Sequence, residues 1–211
     1  NLDNAQLAWS RDRGASWTWA DWKFATSFGC PTFLNFDRNY ARARDGFVYL
    51  YSFDHDSAYE AADRMVMARV PKDRIAQQAA YEYFVSHDAR TGRPAWSKDV
   101  AQRGAVFTHR GNCYRGGVTY NAALGRYLWC QILPHSKHPQ GMRFQGGFGI
   151  YDAPEPWGPW TTVFYTTEWD VGPGESSSFP TKWMSADGKT LHLVFSGEDH
   201  FSVRQATLVT D

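Results

Sequence analysis

The sequence predicts an all-β chain, and three features carry that expectation. Aromatic residues make up 17% of the 211 residues, with Trp 10, Tyr 11 and Phe 14; such side chains suit a pleated, half-buried surface better than a helix. Gly 18 and Pro 10 interrupt the chain with frequent turns. Between the turns lie short apolar or alternating runs, and Leu/Ala runs of helical length are nearly absent.

The first recognisable element is a hairpin over residues 5–22. Ser10-x-Asp12-x-Gly14-x-Ser16-Trp17 matches the Asp-box pattern of sialidase-type propeller hairpins. In such a turn Asp12 accepts backbone N–H bonds, Gly14 takes positive φ and Trp17 is expected to pack on the sheet. Strands are then expected at 47–51, 64–70, 117–120, 127–130, 148–151, 161–165, 191–195 and 203–208. One helix is expected over 72–81, with Pro71 at its first position. Ser185-x-Asp187-Gly188-x-Thr190 repeats the hairpin turn in a shorter form.

Three stretches share one order of strands: a leading strand, a turn, a strongly apolar strand, then an outer strand. They occupy about 29–84, 103–166 and 175–209. Short strands in repeated units read as the blades of a single β-propeller domain over 1–211. Three blades and a hairpin do not close a five-membered ring. The expectation is therefore a partial ring, with the missing part ahead of Asn1 or supplied by a second chain, or a compact ring of short blades.

Composition narrows the function. Lys+Arg 22 balances Asp+Glu 22, which disfavours a duplex nucleic-acid binder. No run approaches the ~18 apolar residues of a membrane span. Cys30, Cys113 and Cys130 form no CxxC pair, so a zinc ribbon or redox motif is not indicated; a Cys113–Cys130 bridge stays open. No GxSxG, Walker loop, GxGxxG or HExxH is present.

Several segments resemble a known family. They are Cys30-Pro31-Thr32-Phe33-Leu34-Asn35, Ser57-Ala58-Tyr59-Glu60, Ala62-Asp63-Arg64-Met65-Val66, the run 68–75 and Gly158-Pro159-Trp160-Thr161. They look like bacterial proteins long catalogued as a domain of unknown function, similar in fold to five-bladed β-propeller glycosidases and including endo-D-arabinanases. The resemblance implies a secreted or cell-envelope, glycan-active propeller. It also implies a longer N-terminus carrying an acidic catalytic group that this sequence lacks.

Glycoside hydrolysis needs two carboxyl groups. One candidate source is Asp54-His55-Asp56-Ser57-Ala58-Tyr59-Glu60, where Asp54, Asp56 and Glu60 crowd like charges, a condition that raises at least one pKa and suits a general acid. The plainer readings of that segment are a solvated loop or a structural calcium loop. The second source is Glu175, in a Gly/Ser-rich loop with Lys182 beyond it; Lys182 can hold it charged or bind a substrate oxygen. Arg115, Gln145, Tyr59 and Trp183 complete the expected sugar-binding set, with a structural ion pair the plainer reading of Arg115. Trp157 and Trp160 resemble a sugar-stacking platform, but their motif links two strands, and a rigid outer turn is the favoured reading. His135-Ser136-Lys137-His138 has two-histidine spacing but no carboxylate beside it. No cofactor is expected apart from a structural calcium, and the expected partner is a polysaccharide or oligosaccharide. A non-catalytic glycan- or protein-binding module is the alternative.

Overall fold

The computed structural model describes residues 4–134, 139 and 142–210. Every helical segment among them is a three-residue 3-10 turn, and the rest of the regular structure is antiparallel sheet. A short hairpin pairs β1 (Ala8–Trp9) with β2 (Thr18–Trp19). The first sheet runs in order through β3 (Thr32–Phe33), β4 (Phe47–Phe53), β5 (Ala62–Pro71), β6 (Glu82–His87) and β7 (Pro94–Ser97). A further strand, β8 (Phe107–Cys113), also pairs with β5, so these residues join the first sheet and not the second. The second sheet is a four-stranded meander of β9 (Gly116–Asn121), β10 (Arg126–Pro134), β11 (Gly146–Ala153) and β12 (Thr161–Thr166). The third has three strands, β13 (Ser177–Ser178), β14 (Thr190–Phe195) and β15 (Ser202–Thr207).

The leading strands β3, β9 and β13 come together along one line. Asn35 bridges Thr119 in parallel, and the Thr119 hydroxyl donates to the Phe179 carbonyl at 3.0 Å. A Cβ on Gly117 would lie 2.6 Å from the Ser177 carbonyl oxygen. Glycine there is what lets two leading strands approach backbone to backbone. From this line the sheets fan outward as blades, and among the described residues they do not close on one another.

Alternation within each strand decides what fills the gaps between blades. Leu34, Tyr51, Met67 and Phe84 of the first sheet face Trp129, Phe148 and their neighbours in one continuous core that extends to Leu191, Leu193 and Phe195 of the third. The opposite face of the first sheet (Val48, Leu50, Val66, Ala68, Val70) is covered by Phe24 and Phe28 from the N-terminal segment. Trp129 is the largest fully buried side chain. It sits edge-on to Phe107 at 4.9 Å and Trp160 at 5.3 Å, joining first sheet, second sheet and the turn between β11 and β12. Tyr51 donates to the Pro156 carbonyl in that same turn at 2.7 Å. The turn that carries Trp157 and Trp160 thus packs between the sheets, where an outer position was expected.

Two local expectations need correction. The helix over 72–81 is replaced by 3-10 turns Lys72–Arg74 and Gln78–Ala80. The carbonyls of Ile75 and Ala76, which a helix would use internally, accept instead from the Tyr81 hydroxyl at 2.8 Å and the Trp22 indole at 2.9 Å. Tertiary anchoring of Ala80 and Tyr81 in the core outweighs local helix preference. A tight turn forms over residues 10–16, with Ser16 N and its hydroxyl donating to Asp12 at 2.9 and 2.6 Å and Gly14 at φ 95. Hydrogen bonds from Ser16 and Ser10 bring the Asp12 carboxyl down to about 2. Trp17, however, is 59% exposed and does not pack on the sheet, because the two-residue strands beside it offer no surface to cover.

Candidate active site

Antiparallel alternation brings the segments that lead into β3, β9 and β13 to one end of the fan, together with the loops that follow β4 and β14 and the turn Met142–Phe144 before β11. Glu175 leads into β13. Its backbone N–H donates to the Ser196 hydroxyl at 2.7 Å, and the Ser176 N–H reaches the same oxygen at 3.2 Å. Gly174, just before it, has φ 74, and a Cβ there would run into the Ser196 carbonyl. Only glycine lets this segment lie so close to the β14 loop.

Two guanidinium groups hold the Glu175 carboxylate. Arg115 approaches one oxygen at 3.3 Å and Arg143 the other at 3.6 Å. Arg143 also pairs with Asp199 at 3.1 Å, so one arginine bridges two carboxylates from different loops. Asp199 lies in the turn Gly197–Asp199, where Glu198 and Asp199 both adopt positive φ, at 50 and 65. Left-handed backbone at two consecutive non-glycine residues is sparsely populated and often found at functional sites. Glu198 in turn accepts from Gly172 N at 3.2 Å, and Gly174 N donates to the Arg143 carbonyl at 3.0 Å, tying the three loops together.

Arg115 is mostly buried. Its Nε donates to the Ala58 carbonyl at 2.8 Å, and its guanidinium lies 4.4 Å from the Tyr59 ring centre and 5.4 Å from that of Tyr114. Burial opposes its charge, but Tyr114, Cys30, Tyr59 and Glu175 more than offset that, and its pKa is raised. Cys30, at the start of the first leading segment, is half-buried beside this group. Burial pushes its thiol up, against the pull of Arg115 and with the help of Glu175. A protonated thiol is a poor nucleophile. All three cysteines are free.

The acidic loop after β4 lies at the same end, but its members differ in surroundings. Asp54 is almost fully enclosed and takes Arg64 at 2.5 Å and Arg103 at 2.7 Å, one on each oxygen. Burial raises its pKa, and contacts with Ser27, Arg103 and Arg64 outweigh burial, leaving the carboxyl below the usual range. Asp56 accepts from the Ser27 backbone N–H and, through its carbonyl, from Asn4 N at 2.9 Å; it fastens the N-terminal segment. Glu60 and Tyr59 are exposed. Gln145 is half-buried directly before β11.

Lys182 and Trp183 are at the other end. They belong to the 3-10 turn Thr181–Trp183 beyond β13, which the Thr181 hydroxyl ties to the Asp37 carboxylate at 3.2 Å. Lys182 therefore does not pair with Glu175; its ammonium lies 5.4 Å from the Trp183 ring centre. The Trp183 carbonyl accepts from His192 Nδ1 at 2.8 Å. Among the described residues no three His, Cys, Asp or Glu side chains converge as metal ligands, and no helix is long and apolar enough to cross a membrane. His135 and His138 lie outside the described residues.

Asp199 was not anticipated. Its signal is positional: Gly197-Glu198-Asp199 follows the apolar strand of the third unit as Asp54-His55-Asp56 follows that of the first.

No protein-family model and no curated protein sequence matches the chain. Solved structures do. An exo-β-1,3-galactanase from Phanerochaete chrysosporium, with β-1,3-galactotriose, is similar over 97% of this chain and 38% of its own, at 12% identity and a TM-score of 0.52. The same enzyme with galactose matches over 95% and 39% at 13% identity and a TM-score of 0.49. An exo-β-1,3-galactanase from Clostridium thermocellum matches over 83% and 36% at 15% identity and a TM-score of 0.41. The first of these shows the fold: the chain is all-β and of β-propeller type, with sheets that do not close on one another among the described residues. It spans about 38% of that enzyme's length.

Proposed function

We propose that this chain is a carbohydrate-active propeller and that it hydrolyses glycosidic bonds with Glu175 and Asp199 as its carboxyl pair. The observation that carries the reading is the shared Arg143, which gathers these two carboxylates where the leading segments of all three blades converge. Hydrolysis requires one carboxyl group to protonate the departing oxygen and the other to stabilise or attack the oxocarbenium-like centre. Arg115, with the Tyr59 ring against it, borders the pair and would bind sugar hydroxyls, and Gln145, two residues after Arg143, would join them. Of the other acidic candidates, Asp54 would act as a structural anchor, Asp56 would hold the N-terminal segment, and Glu60 would remain a solvent-facing group at the rim. Lys182 and Trp183 have no part in this site.

The finer proposals follow from the same reading. The ring would be five-bladed, one domain over 1–211 with the remainder supplied by further residues or a second chain. The substrate would be an arabinan-like or other bacterial or plant polysaccharide, and the location secreted or cell-envelope. Likeness of fold to a galactanase adds β-1,3-galactan to the substrates worth testing. A second reading, a non-catalytic glycan-binding module, is favoured by one observation: both carboxylates are already engaged in ion pairs. Release of reducing ends from D-arabinan, L-arabinan, arabinogalactan and β-1,3-galactan separates the two. Binding without release from any of them would leave the binding module.

A further inference from the structure

We propose that Phe201 forms a second sugar-binding position, and that the ligand is a neutral oligosaccharide of at least two units lying across the Glu175–Asp199 pair. The inference rests on the hydrolase reading only for where the reacting carboxyls lie. The contacts form an unbroken row. The Tyr59 ring lies 4.4 Å from Arg115, Arg115 3.3 Å from Glu175, Glu175 3.6 Å from Arg143, and Arg143 3.1 Å from Asp199. The chain then passes through His200 to Phe201, so exposed aromatic rings stand at both ends of the row.

Beside Asp199 opens a cleft of about 400 Å³ bordered by His200, Phe201, Ser176 and Ser178, within the ~300–1,000 Å³ range of small-molecule sites. Phe201 is 76% exposed and offers a flat apolar face. The serine hydroxyls are exposed too, and the imidazole keeps Nε2 free for a ligand because Nδ1 donates to the Glu198 carbonyl at 2.8 Å. A flat apolar face ringed by hydroxyl and imidazole groups matches a sugar ring, whose C–H face is apolar and whose rim is polar. The charges of Arg115 and Arg143 are balanced by Glu175 and Asp199, which favours a neutral glycan over an acidic one.

The test is a ligand-observed NMR titration of the wild type, F201A, F201Y and E175Q with L-arabinotriose, a D-arabinan oligosaccharide and β-1,3-galactotriose. Phe201 is an exposed loop residue, so F201A is expected to fold. The proposal predicts saturation transfer from the wild type to at least one probe, binding about tenfold weaker in F201A, the scale of one aromatic contact, and near-wild-type binding in F201Y, with E175Q there to keep a probe from being cleaved. No transfer to any probe overturns it. Equal binding by wild type and F201A overturns it while leaving the hydrolase reading untouched. An altered oligomeric state of F201A with unchanged sugar binding also overturns it and assigns the ring to a protein interface. Weakened binding in F201A by a wild type that hydrolyses nothing upholds the position and removes the hydrolase reading instead.

Discussion

Replacing Asp54 by Asn separates a structural carboxylate from a catalytic one. The Asp54 side chain is 8% exposed and its partners Arg103 and Arg64 are 17% and 41% exposed. Removing one member of a buried ion pair costs about 3–5 kcal/mol, because the other charge is left without compensation. Arg64 can turn to water, so most of the penalty falls on Arg103 and the lower end, about 3 kcal/mol, is expected. In a domain of this length each kcal/mol moves Tm by about 2–4 °C, giving a fall of about 6–12 °C at pH 7. The pH dependence has a definite sign. The folded carboxyl is below its ordinary value; the stability it contributes is therefore complete above the unfolded value of about 4 and is lost as pH falls through the folded pKa. Thermal unfolding followed by tryptophan fluorescence from pH 7 to pH 3 should show the wild-type and D54N curves converging at the acid end. A Tm change of less than about 2 °C at pH 7, or a loss of hydrolysis with unchanged Tm, would refute the reasoning and return Asp54 to the catalytic candidates.

Other outcomes are equally specific. Trp129→Ala empties the junction of two blades and should cost about 3–5 kcal/mol in urea unfolding, the range for deleting a buried aromatic. Gly174→Ala places a Cβ at positive φ against the Ser196 carbonyl, so it should displace Glu175 and abolish hydrolysis while tryptophan fluorescence of the core stays native. Burial pushes the Cys113 thiol up to about 12 and that of Cys130 up to about 11, and raises Cys30 as well. Ellman titration at pH 8 should thus be slow in the native protein and count three thiols only after unfolding.

The strands with strong alternation or apolar runs were legible in the sequence, because one face of each is buried between blades. Glu82–His87 lay hidden at the end of a stretch with helix-forming composition. Phe107–Cys113 is a largely polar, half-exposed edge, and such strands carry little pattern. Its pairing with β5, a non-local contact, moves it into the first sheet. At the site, Glu175 and Arg115 stood out as residue types, but their partnership did not. Ion pairs between loops of different blades leave no spacing signature, which is also why Lys182, nearer in sequence, was the expected partner. Asp199 resembles an ordinary solvated turn until Arg143 is seen beside it.

The most direct test of the account is the release of reducing ends from the glycan panel by wild type, E175Q and D199N, with products read by mass spectrometry. The account predicts release from at least one polysaccharide by the wild type and a loss of at least about 100-fold in each variant, the contribution expected of a positioned acid or base. Release that persists at the wild-type rate in both variants, or no release by a folded wild type, would contradict it.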